Sequence, residues 1–75
     1  MLPPPRRFET DARYYLLRCT RDLWGTLLVS CYWGGKDSRR GNQRHDVVVS
    51  ATEATLRFTP IARQRERHGY REIQP

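Results

Sequence analysis

Seventy-five residues make one small domain that buries roughly 60% of its unfolded surface. That excludes a deep two-lobed cleft, a doubly wound nucleotide fold and a barrel enzyme. Fourteen Lys+Arg against eight Asp+Glu leave a charge of +6, which points to a polyanionic partner, nucleic acid first, unless it serves solubility alone. Lys36 is the single lysine among these cations. Arginine, which makes up the rest, offers a flat bidentate fork for phosphate and stacks on aromatic or base faces.

No apolar run exceeds four residues, so no segment is expected to span a membrane. Met1-Leu-Pro-Pro-Pro-Arg-Arg lacks an apolar stretch after its charges and does not read as a secretory signal. A cytoplasmic location is expected. Residues 1–12 read as a Pro- and Arg-containing lead-in from which Leu2 and Phe8 can touch the body, extended and solvated at its start because consecutive prolines cannot donate to a ladder. Residues 13–73 read as the single domain.

From Arg13 to Thr20, Tyr15, Leu17 and Cys19 share one face of a strand, with Tyr14, Leu16 and Arg18 on the other. Asp22-Leu-Trp-Gly25 is a turn, and Thr26 to Trp33 is the returning strand of an antiparallel hairpin. A hairpin around that turn sets Cys19 opposite Leu27 or Leu28. Cys31 then lies roughly 10–13 Å away at the strand rise, beyond the ~7 Å limit for bridging, so both thiols are expected free. Cys19, Cys31, His45 and His68 lack metal-ligand spacing, and neither metal nor other cofactor is implied.

Gly34 to Asn42 reads as a loop, with three glycines, Asp, Ser and Asn in nine residues. Gln43 to Val49 resumes a β-branched strand. Ser50-Ala-Thr-Glu53 is a capping box opening a helix, on which Ala54, Phe58, Ile61 and Ala62 form an apolar stripe. Pro60 is expected to kink or divide that helix, with Thr59 capping its second part. Gly69 ends it. Tyr70 to Ile73 adds a short edge strand or packs Tyr70 back. The fold class is therefore α+β: a small curved antiparallel sheet of three to five strands with one helix, kinked near Pro60, packed on it.

Tyr15-x-Leu17-x-Cys19, Asp22-Leu-Trp-Gly25, Trp33-Gly34, Arg39-Arg-Gly41, the Ser50–Ala54 helix start and Arg67-x-Gly69-Tyr70 occur in that order. The ordered set, spanning about residues 13–71, resembles a WGR domain, a module of poly(ADP-ribose) polymerases and many small bacterial proteins. The resemblance implies a curved antiparallel sheet with a helix. It also implies a nucleic-acid partner that is DNA rather than RNA, with Trp33 packed on a strand-terminal sugar. The motif arginine falls at Gly35, so a charged fork is lost, and Asp37 stands where a glycine is usual.

The nucleic-acid-binding set expected from these readings is Trp33, Gly34, Gly35, Lys36, Arg39, Arg40 and Arg44. Trp33 either lies against a sugar or base or closes the end of the core. The glycines either admit a phosphate to the backbone amides or only permit a tight bend. Arg63, Arg65 and Arg67 read as an ordinary exposed helix face, and Tyr70 as packing under the helix end. Trp24 either packs locally or marks a partner surface. No Ser/His/Asp order, paired-carboxylate signature, phosphate loop or activated cysteine is present, so neither an enzyme nor a small-molecule substrate is expected. The second reading is a protein-interaction adaptor on the same scaffold.

Overall fold

The computed structural model describes residues 2–73. It has β1 (Arg6–Glu9), β2 (Arg13–Arg21), β3 (Leu27–Gly35), β4 (Gly41–Val48), α1 (Ala51–Arg67) and β5 (Arg71–Ile73). All five strands form one antiparallel sheet in the order β4-β3-β2-β1-β5, and α1 packs on one of its faces. The α+β class is as the hydrophobic pattern implies.

The period-2 pattern of β2 decides which face is covered. Tyr15, Leu17 and Cys19 align with Trp33, Cys31 and Val29 of β3, and with Phe8 of β1 they meet Ala54, Phe58 and Ala62 of α1. Leu17 and Phe8 are fully buried. The opposite face carries Leu16, Leu28, Tyr14 and Tyr32 and has no helix over it.

The lead-in assigned to residues 1–12 is corrected: Arg6–Glu9 is an inner strand of the sheet, held between β2 and β5. The β1–β2 turn closes through Thr10, whose hydroxyl accepts from the Ala12 and Arg13 amides at 3.2 and 2.9 Å. Arg6 then donates twice to Glu72, at 2.8 and 2.7 Å, fastening β5 to the sheet. This fork holds the Glu72 carboxyl below its ordinary range.

The hairpin register is also corrected. Asp22 accepts from the Gly25 amide, its carboxylate takes the Trp24 and Thr26 amides, and Gly25 adopts φ +80°. A left-handed residue after the turn inserts one more position than a tight loop, so Cys19 pairs with Val29 and Leu17 with Cys31. The cysteines are thus diagonal neighbours on one face, not 10–13 Å apart. Diagonal positions lie about 7–8 Å apart, still at the edge of what a disulfide spans, and both thiols are free and buried.

The glycine-rich loop is shorter than its composition implies, because β3 runs through Gly35 and β4 begins at Gly41. Tyr14 explains both glycines: it crosses from β2 to cover them on the open face. A methyl at Gly34 would meet Arg40 O at 3.1 Å and Tyr14 Cε1 at 3.3 Å, and one at Gly41 would meet the Tyr14 hydroxyl at 3.0 Å. Gly34→Ala is expected to cost about 1–3 kcal/mol through overpacking. Gly35→Ala has its nearest neighbour at 3.5 Å and should stay within about 0.5 kcal/mol of the parent. Urea midpoints of the two variants check this difference.

α1 is a single helix with Pro60 inside it, so the division expected there does not occur. Thr59 caps nothing; its hydroxyl donates back to the Thr55 carbonyl at 3.3 Å. Ser50 is the N-cap, accepting from the Glu53 amide at 3.1 Å. Glu53 reaches one residue past the expected capping-box donor, accepting from the Val49 amide. Gly69, at φ +84°, follows the His68 C-cap.

Candidate nucleic-acid interface

At the end of β3, where the sheet meets the last turns of α1, a cleft of about 510 Å³ opens. It is lined by Arg13, Trp33, Gly34, Gly35, Arg40, Asn42, Arg65 and Tyr70. Three strands and the helix end converge there. β2 brings Arg13, β3 the tryptophan and glycines, β4 Asn42, and the chain leaving α1 brings Tyr70. No carboxylate among the described residues lines it. Among the described residues, neither Arg13, Arg40 nor Arg65 has an acidic partner within 4.0 Å.

Stacking fixes the inner wall. Trp33 lies on Tyr15 with ring centroids 5.7 Å apart and planes 13° from parallel. Arg65 sits over Tyr15 at 4.6 Å and over Tyr70 at 5.3 Å. Two aromatic faces hold one guanidinium by cation–π attraction and take away most of its rotamer freedom. Its Nε is buried and without a hydrogen-bond partner among the described residues. Burial pushes the Tyr15 hydroxyl up to about 12, aided by the neighbouring Cys31, so the phenol stays neutral beneath the cation.

The residues singled out in the sequence are only partly brought together. Trp33, Gly34, Gly35 and Arg40 line the cleft. Lys36 turns to Glu9 at 2.7 Å, and with Arg7 it holds that carboxyl below its ordinary range. Arg44 pairs with Asp46 at 3.1 Å in the adjoining groove between β4 and α1. Arg39 is exposed on the loop. Trp33 is half-buried against the core: one side of the indole closes the core and the rest lines the cleft.

Arg13, Asn42, Arg65 and Tyr70 are the cleft residues that sequence reasoning missed. Arg13 is the cross-strand partner of Gly35, a relation visible only once the hairpin register is known. Trp24 does not pack locally. It is 88% exposed at the β2–β3 turn, beside Leu23 at 97%.

Among the described residues, no group of three or more His, Cys, Asp or Glu is placed to hold a metal. No described helix is long and apolar enough to cross a membrane. Compared with known proteins, the chain matches no family model, no curated protein and no solved structure.

Proposed function

We propose that this protein is a non-enzymatic nucleic-acid-binding module of WGR type whose ligand is DNA, acting in the cytoplasm. The observation that carries this reading is a cleft whose lining, among the described residues, holds three arginines, a tryptophan and no carboxylate. Guanidiniums there would take phosphate oxygens, while Trp33 and Tyr70 offer ring faces to a sugar or base. Binding of this kind reads backbone and not sequence.

The register of β2 and β3 supports the family resemblance where the sequence departs from it. Gly35 occupies the motif arginine's place, and Arg13 lies directly opposite on the same face. A guanidinium thus reaches that region from the neighbouring strand. Lys36, one place later, is engaged with Glu9 and is not its replacement.

The test is a fluorescence titration of the full chain with nicked, blunt and single-stranded oligonucleotides at two salt concentrations. Affinity that falls steeply with salt supports the reading; no binding at low salt overturns it. The adaptor reading rests on Leu23 and Trp24, an exposed apolar pair at a turn far along the sheet from the cleft. It gains if oligonucleotides fail to bind.

A further inference from the structure

The two edges of the sheet are unequal. β5 spans three residues and offers little backbone to pair with, whereas β4 spans eight. β4 pairs with β3 without interruption, from Leu27↔Val48 to Gly34↔Gly41, so no bulge twists it away. Among the described residues, its outer row of amides and carbonyls faces no other strand. Strand edges are ordinarily blunted by proline, a bulge or charged side chains; Gly41-Asn-Gln-Arg-His-Asp-Val-Val48 has neither proline nor bulge, and its two charges, Arg44 and Asp46, are of opposite sign. Apart from half-buried Asp46 and buried Val48, its side chains are exposed. α1 packs centrally enough to leave a groove of about 320 Å³ between itself and β4.

We infer that β4 is the seam of a two-fold dimer of this chain, pairing antiparallel with β4 of a second copy about an axis through His45. Two identical strands pair antiparallel about a two-fold only when the axis is perpendicular to the sheet and one residue faces itself. Within Gly41–Val48, only centres at Arg44 or His45 leave seven residues paired. Centring on Arg44 sets two guanidiniums against each other. Centring on His45 sets Arg44 of each copy opposite Asp46 of the other, on the helix-bearing face. Each Arg44 already lies 3.1 Å from its own Asp46, so the four charges alternate around the axis. Cross-strand pairs of opposite charge stabilise a sheet and like charges oppose it, so the charge pattern selects this register.

On the other face, the His45 rings meet at the axis. Each is steadied by Ser30 Oγ at 2.7 Å from Nδ1 and by the edge of Tyr32, at 5.7 Å between centroids. Both helices fall on one side of the resulting ten-stranded sheet, with the two β4 strands flooring a channel between them. One short edge buries less than the ~1,600 Å² of a standard interface, so the association is concentration-dependent. This inference stands apart from the nucleic-acid reading.

The test is sedimentation of the full chain without nucleic acid over a range of concentrations. Wild type should shift from monomer to dimer as concentration rises. Asp46→Arg and Arg44→Asp should each weaken dimerisation by at least about tenfold, since like charges then face each other across the seam. Circular dichroism will verify that each variant is folded. Mixed in equal amounts, the two should recover a dimer at wild-type strength, because one supplies cations at both positions and the other carboxylates. A wild type that stays monomeric overturns the inference. So do single variants that dimerise like wild type, or a mixture that stays monomeric.

Discussion

Replacing Arg13 and Arg40 together by alanine is expected to flatten the log–log salt dependence of DNA affinity by about two units, one for each phosphate no longer neutralised. At low salt the same change should weaken binding about a hundredfold. A charge-assisted hydrogen bond contributes roughly 1.5–3 kcal/mol, and each 1.4 kcal/mol is about tenfold in affinity. These two arginines are the informative pair because both are exposed, line the cleft and lack an acidic partner among the described residues. Their removal therefore leaves the fold alone. Arg65 is a poorer test, since its guanidinium also joins Tyr15 to Tyr70, and its loss would disturb packing together with charge. Arg18→Ala, on the uncovered face of β2, is the control and should leave the slope unchanged. An unaltered slope in the double variant would remove the cleft from the interface.

Counting cations along the chain therefore misjudges which of them are free. Lys36 and Arg44 sit near the tryptophan in sequence and look available, yet each has a carboxylate within 3.1 Å or less. Glu9 reaches Lys36 from a strand 27 positions away, a pairing with no local signature. Arg13 looks remote from the glycine loop until β2 and β3 are placed in register, when it proves to be the neighbour of Gly35. Arg65 reads as one of several exposed cations on a helix, and its capture between two tyrosines depends on how the helix end meets β2.

What is legible follows the same division between local and non-local causes. The β2–β3 hairpin, the Ser50 cap and the Gly69 stop are written in side chains a few residues apart. The stripe of Ala54, Phe58 and Ala62 is equally local, and all three are buried. Pro60 misleads when its local rule alone is applied. Its missing amide would pair with the Leu56 carbonyl, and Leu56 is 68% exposed. Water can take that carbonyl on the outer side of the helix, so one absent bond does not end it. The β1–β2 turn is weakly marked because Thr10-Asp-Ala12 contains neither glycine nor proline and closes through a threonine hydroxyl.

Phe8→Ala is expected to cost about 3–5 kcal/mol, the usual range for emptying a fully buried phenylalanine site. A domain of 75 residues has roughly 4–11 kcal/mol of total stability at 0.05–0.15 kcal/mol per residue. The loss would thus leave much of the population unfolded or close to it. The size of the effect follows from where β1 sits. Phe8 has no exposed surface, pairs with Tyr15 on one side and Glu72 on the other, and belongs to the same cluster as Leu17, Ala54 and Phe58. Were residues 1–12 an appendage, the same substitution would change little. Urea unfolding followed by tryptophan fluorescence separates the two. A midpoint shifted far down, with Phe8→Leu retaining most of the stability, marks β1 as part of the core. A Phe8→Ala variant that unfolds together with wild type would return the strand to the solvent.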